Sequence, residues 1–289
     1  MKILIYYRHF PVAMGKFFHW ALLDLGHEVF SVGCYSGPTI PWGDFKYPAY
    51  DFPPDYVTPD IDFSLKAVLR NIDFKPDLII QASDNTFLYG EAPCRNIVIG
   101  TDPHVVDYKR FLQYADDYYS MQKFYLEGYP FGRWLPYGYY PPIHNFQERE
   151  IIYDVVFSGL QYEHRKEVLE EVKKRGFRVL NVLGLIYEEY NKAYNQGLIA
   201  FNYSSRSDLP ARFWEGLAMK RCVVTNRVPD LKEFDIKEGE HYVGFEGKDE
   251  AVEKLVYYST HPEEAKKIAE KGYNWVKPHT YHKRCKIFL

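Results

Sequence analysis

Residues Ile199 to Arg227 read IAFNYSSRSDLPARFWEGLAMKRCVVTNR, and their pattern decides the fold. An apolar run, LIAFNY, leads into the polar loop SSRSD. A short helix follows, with Arg212 and Glu215 on one face, and then a second apolar run, CVVTN. Continuous apolar runs of this kind suit strands buried on both faces of a parallel sheet. In an open parallel sheet, ligands lie outside the carboxyl ends of the strands, and free N–H groups at a helix start favour anions. The polar loop occupies such a strand end, so a phosphate-bearing ligand is expected there.

The same alternation runs in both directions. Lys2–Tyr7 reads as a strand, Lys16–Leu25 as a helix closed by Gly26, and Glu28–Val32 as the next strand, one βαβ unit. Its loop, YRHFPVAMG, lacks the GxGxxG fingerprint, which removes the main support for a dehydrogenase. Residues Gly37–Pro59 are rich in proline and aromatics without periodicity and read as a long surface loop, a lid or acceptor platform. A helix over Asp62–Ile72 follows, then strands at Asp77–Ala82, Asn96–Gly100, 116–121 and Arg133–Tyr140. The proline pair Pro141–Pro142 and the charged stretch to Glu150 mark a domain boundary. Residues 1–145 form the amino-terminal, acceptor-side domain and 146–272 the second domain, with 273–289 a terminal helix packing back on the first.

In the second domain, the strand Tyr153–Phe157 runs into Ser158 and Gly159. A helix from His164 to Arg175, a strand over Arg178–Leu183 and a helix over Tyr187–Tyr194 precede the opening unit. A strand at His241–Phe245 and two more helices complete it. The expected class is α/β, two Rossmann-like domains with a cleft between them that takes a small ligand.

Length and composition set limits. A chain of 289 residues, 46% hydrophobic, can bury two cores. Its net charge of -3 gives no global basic field for nonspecific nucleic-acid binding, although a local basic groove remains open. Cys34, Cys94, Cys222 and Cys285 are widely spaced without a CxxC pair, so reduced thiols are expected. The apolar run in MKILIYYRHF is too short for a signal segment or a membrane span, which leads to the expectation of a soluble cytoplasmic protein without an anchor. The aromatic content of 18% would suit stacking surfaces, but aromatic-heavy cores are the plainer reading.

Four constellations carry chemistry. Arg212 and Glu215 could pair on the helix surface, or Glu215 could accept two ribose hydroxyls. Gly159 through Arg165 (GLQYEHR) could let a phosphate approach the backbone, with Arg165 neutralising it; an ordinary tight turn is the alternative. Asp102 and His104, with Asp84 at a neighbouring strand end, could serve as acid, base or sugar ligands, against a turn cap beside a surface histidine. The tail HTYHKR reads as a structural clamp rather than a nucleic-acid patch. No metal site is expected, because the nearest Asp-x-Asp pair, Asp60-Ile61-Asp62, lies where it would cap a helix.

The series DVVFSG followed by Arg165, then LIAFNY, ARFWEGLAMKRCVVTN, EGEHYVGF and AEKGYNWVKPHTYHKR, resembles the glycosyltransferase group 1 domain of the CgeB-like proteins. The resemblance spans roughly residues 150–289 and is only topological before that. It implies a GT-B fold and transfer of a sugar from a nucleoside-diphosphate sugar, expected to be a UDP-sugar, to an acceptor hydroxyl, with retention and without a metal. In that group an E-x7-E motif presents one glutamate to the donor sugar and one to the ribose. Glu215 matches the second, and Ser207, beside Asp208, stands where the first would be. Gly159 and Arg165 fall in the diphosphate loop, Asn202, Arg206, Ser207 and Arg212 join the nucleotide-sugar set, and His104 resembles the histidine beside the donor sugar. Were the reaction inverting, Asp102 or Asp84 would be the base.

A nucleotide-sugar epimerase of the same fold and a silent nucleotide-binding module are the competing functions. The acceptor stays open among a glycan, a protein, a metabolite and a hydroxymethylated DNA base. The DNA option implicates Lys46, Lys109, Arg110, Lys123 and the 37–59 loop.

Overall fold

The computed structural model describes residues 1–40, 46–48, 51–129 and 131–289. They form two compact units, one of Met1–Pro136 with Tyr281–Leu289 and the other of Tyr137–Thr280.

The first unit holds strands β1 (Lys2–Tyr6), β2 (Glu28–Gly33), β3 (Tyr56–Val57), β4 (Phe63–Ser64), β5 (Leu78–Gln81), β6 (Leu88–Tyr89), β7 (Arg95–Gly100), β8 (Asp117–Ser120) and β9 (Gly132–Trp134). Seven of them make one sheet in the order β3-β2-β1-β5-β7-β8-β9, parallel throughout, and β4 pairs separately with β6. Helices α1 (Gly15–Asp24), α2 (Leu65–Asn71) and α3 (Lys109–Leu112) connect the strands. Leu4, Tyr6, Val32 and Ile79 bury one face against Leu65 and Val68 of α2.

The second unit holds β10 (Tyr153–Ser158), β11 (Val179–Val182), β12 (Gly197–Asn202), β13 (Cys222–Asn226) and β14 (Val243–Phe245), in the parallel order β11-β10-β12-β13-β14. Its helices are α4 (Glu163–Lys174), α5 (Tyr187–Asn195), α6 (Ala211–Ala218), α7 (Gly247–Thr260) and α8 (Pro262–Val276). Phe157, Ile199, Phe201 and Val224 pack with Val168 of α4 and Leu255 of α7. All six residues of β12 are buried, as a central strand covered on both faces requires.

The last helix, α9 (Tyr281–Phe288), belongs to the first unit, where Tyr281 stacks on Phe17 and meets Phe18 edge-on. Arg284, buried, donates from Nε to the Pro136 carbonyl at 2.9 Å.

Several local expectations change. The helix expected from Asp62 begins at Leu65, because the Ser64 hydroxyl accepts the Ala67 N–H and caps it. Asp60 and Asp62 do not cap that helix. Asp60 binds Arg8, and Asp62 accepts the Phe87 N–H at 3.1 Å. The strand expected over Arg133–Tyr140 stops at Trp134; Leu135 donates one more bond, to Ser120, and Pro136 has no N–H to continue. Within the 37–59 loop, Tyr56–Val57 joins the sheet edge beside β2, while residues 41–45, 49 and 50 of that loop lie outside the described residues. The charged stretch after Pro142 is held on the second unit: Asn191 of α5 donates to the carbonyls of Ile143 and Asn145 at 2.6 and 2.9 Å.

Candidate functional site

In the second sheet β12 lies on one side of β10 and β11 on the other, so the chain order reverses between β10 and β12. Open α/β sheets bind ligands outside such a reversal. Two arginines converge there. Arg165, on the first turn of α4, donates from Nε to the Tyr203 carbonyl at 2.6 Å and from Nη1 to the Leu160 carbonyl at 3.0 Å. Arg212, at the start of α6, donates from Nε to the Ser158 carbonyl at 3.0 Å and from Nη1 to Asn202 Oδ1 at 2.9 Å. Both guanidinium groups lie over the Phe157 ring, 5.5 and 4.8 Å from its centroid.

Neither arginine forms an ion pair with a carboxylate among the described residues, and each keeps Nη2 without a hydrogen-bond partner there. Burial, and after it the neighbouring charge of Arg212, pushes the Arg165 guanidinium down to about 10. Two cations held by carbonyl oxygens, neither in a carboxylate ion pair among the described residues, make a strong attractor for a polyanion.

Gly159 permits this arrangement. A Cβ at that position would stand 2.6 Å from Arg212 Nη2 and 3.3 Å from the Phe157 ring. Asn202 spends its Oδ1 on Arg212 and donates from Nδ2 to Thr225 Oγ1 at 2.9 Å, so its amide orientation is fixed by both bonds. The loop after β12 folds on Ser204, whose hydroxyl pairs with Asp208 and accepts the Asp208 N–H at 3.1 Å. Arg206 and Ser207 lie exposed at its tip, with Ser207 in the left-handed region at φ 57°, a conformation costing about 1–2 kcal/mol for an L side chain.

Glu215 sits one turn beyond Arg212, 7% exposed. It does not pair with Arg212. Its Oε2 accepts the Tyr190 hydroxyl at 2.7 Å, and its Oε1 lies 3.5 Å from His144 Nε2. Tyr194, also on α5, accepts the Ser158 N–H at 3.3 Å. Burial first, then the Glu215 charge, pushes the Tyr190 phenol well up. Sequence reading had no reason to select Tyr190, Tyr194 or His144, although Tyr190 and Tyr194 share a helix face at i,i+4 spacing.

In the first unit, Asp84 follows β5 and Asp102 and His104 follow β7. Asp84 pairs with Arg8 at 3.3 Å, and Arg8 also binds Asp60 at 3.0 Å. Burial pushes the Asp84 carboxyl up, and Arg8 opposes this. Asp102 accepts the Thr101 hydroxyl at 2.9 Å, and its N–H donates to Tyr108, whose hydroxyl in turn donates to the Ser83 carbonyl at 3.1 Å. His104 Nδ1 lies 3.1 Å from Gln122 Oε1. Of the cations named for a DNA groove, Arg110 is engaged with Asp62 at 3.6 Å, while Lys109 and Lys123 lie over the rings of Tyr129 and Trp134. Lys46 forms an isolated bridge with Thr39.

Among the described residues, no cluster of three or more histidine, cysteine or acidic side chains could hold a metal ion, all four cysteines are free, and no helix is long and apolar enough to cross a membrane.

Residues 149–289 match a family model described as glycosyl transferase-like. No curated protein matches the chain at a significant level. Among solved structures, HepE of Anabaena in complex with UDP-glucose is 8% identical with a TM-score of 0.69, over 99% of this chain and 98% of that one. An alpha-glucosyltransferase bound to UDP-glucose and DNA containing an abasic site is 11% identical with a TM-score of 0.61, over 97% and 96%. Sucrose-phosphate synthase from Thermosynechococcus elongatus is 12% identical with a TM-score of 0.61, over 99% and 97%. The chain has the GT-B fold, two Rossmann-like sheets.

Proposed function

We propose that this protein transfers a glycosyl group from a UDP-sugar to an acceptor hydroxyl, with retention of configuration and without a bound metal. The observation that carries this reading is the pair Arg165 and Arg212, on the first turns of the helices after β10 and β12, neither in a carboxylate ion pair among the described residues. They suit the diphosphate, and their fixed charge stabilises it as it departs, the task a metal performs elsewhere. Glu215, three residues along α6, is the ribose ligand in this reading. The solved neighbours bound to UDP or UDP-glucose support the choice of nucleotide.

The division of labour proposed here gives the donor to the second unit and the acceptor to the first. Asp84, Asp102 and His104 are the first unit's candidate acid, base or sugar-hydroxyl ligands. Arg206 and Ser207, on the loop after β12, face the sugar end, and Ser207 in place of a glutamate accords with a CgeB-like branch. The acceptor classes to try are a glycan and a hydroxymethylated base in DNA, the latter because one neighbour was solved with UDP and DNA containing an HMU base.

Each acceptor is incubated with UDP-glucose and transfer is read as UDP release together with acceptor modification. Release that depends on the acceptor supports the reading. A new sugar isomer formed without any acceptor would replace it with an epimerase, and tight UDP binding with no turnover on any acceptor would make the chain a binding module.

A further inference from the structure

Glu215 is buried, and among the described residues its carboxylate makes two polar contacts, both from one scaffold. Tyr190 projects from α5, and His144 lies in the turn after Pro141–Pro142. Asn191 and Asn195 of the same helix hold that turn: Asn191 donates to the Ile143 and Asn145 carbonyls, and Asn195 donates to the Asn145 carbonyl at 3.0 Å while accepting the Gln147 N–H at 2.8 Å. Helix α5 therefore fixes both groups that touch the carboxylate.

The histidine's protons are set by the backbone. The Tyr140 N–H donates to His144 Nδ1 at 3.1 Å, so Nδ1 is an acceptor and the ring carries its proton on Nε2. That proton faces Glu215 Oε1 at 3.5 Å. Tyr190, whose ring meets His144 edge-on at 6.0 Å, gives its hydroxyl proton to Oε2. A carboxylate offers about four lone-pair sites, two on each oxygen. Tyr190 and His144 meet one oxygen each, and among the described residues no further hydrogen-bond or ion-pair partner takes the second site on either oxygen.

We infer that His144 and Tyr190 are positioning residues that hold Glu215 so that one lone pair of each oxygen is left for a vicinal diol. This rests on the reading of Glu215 as the ribose ligand and adds the device that makes it select a ribonucleotide. A carboxylate free to rotate, or paired with Arg212, would accept one hydroxyl as readily as two. Held at both oxygens, it loses a partner whenever either ribose hydroxyl is missing, and a buried acceptor left unmade is costly.

The test is calorimetric binding of UDP, of 2′-deoxy- and 3′-deoxy-UDP, and of inorganic pyrophosphate to the full chain, for wild type, Tyr190→Phe, His144→Phe and His144→Gln. The wild type is expected to bind each deoxy analogue about tenfold more weakly than UDP, the effect of roughly one hydrogen bond to a charged group. Tyr190→Phe and His144→Phe should bring that ratio below about threefold. Pyrophosphate affinity should stay within twofold, which a collapsed site would not allow, and His144→Gln, which retains an N–H, should restore part of the ratio. Wild-type discrimination that persists in both phenylalanine variants overturns the inference while leaving the ribose reading intact. A wild type that binds UDP and both deoxy analogues equally overturns the ribose reading, and this inference with it.

Discussion

Arg212 Nη2 occupies the space that a side chain at Gly159 would need, 2.6 Å from where its Cβ would stand. The turn after β10 and the start of α6 are thus fitted to one another through one guanidinium group. This fit ties a glycine in the sequence to the charge at the site.

Gly159→Ala should displace the Arg212 guanidinium from the Ser158 carbonyl and Asn202, since the far end of an arginine moves more easily than a strand. UDP affinity is expected to fall at least about tenfold, the equivalent of one charge-assisted hydrogen bond. Folding stability should change by less than about 2 kcal/mol. Titration calorimetry and urea denaturation read the two effects separately; unchanged UDP affinity would show that Arg212 does not need this seat.

The first unit supplies a pH prediction. His9 and His19 are both 3% exposed, and burial pushes them down to about 3 and about 4. The unfolded chain, with histidine near 6.5, binds protons that the folded one refuses, so the stability is present above pH 6.5 and is lost as the pH falls towards 4. Two such groups predict a loss of about 2 kcal/mol between pH 7 and pH 5.5. Urea denaturation at the two pH values checks it, and a His9→Phe, His19→Phe double variant should flatten the slope.

Donor binding and turnover should separate by residue. His104→Ala is expected to leave UDP affinity within about twofold and to lower transfer by about a hundredfold or more, the range for loss of one group acting on the reacting atoms. Equal losses in both quantities would return His104 to a structural role with Gln122.

Much of the fold is legible in the sequence because its strands are continuous apolar runs. The runs LIAFNY, CVVTN and YDVVF fall on β12, β13 and β10, with bounds shifted by a residue at β12 and β10. Gly159 and Asn202 stand at strand ends, and Arg165 and Arg212 lie on the first turns of the helices that follow β10 and β12. Other features depend on contacts across long separations. His144 reads only as part of a charged domain boundary until Asn191 and Asn195 are seen to hold its turn. Tyr190 is one tyrosine among 27 until its hydroxyl meets Glu215, 25 residues on. Asp62 passes for a helix cap because the residue that takes that role, Ser64, lies only two positions further.

The central claim is that Arg165 and Arg212 hold the diphosphate of a nucleotide sugar, and titration calorimetry of UDP against wild type and an Arg165→Met, Arg212→Met double variant tests it most directly. Two lost charge-assisted contacts of about 1.5 kcal/mol or more each predict a weakening of about a hundredfold or more. Equal UDP affinity in the two proteins would contradict the claim.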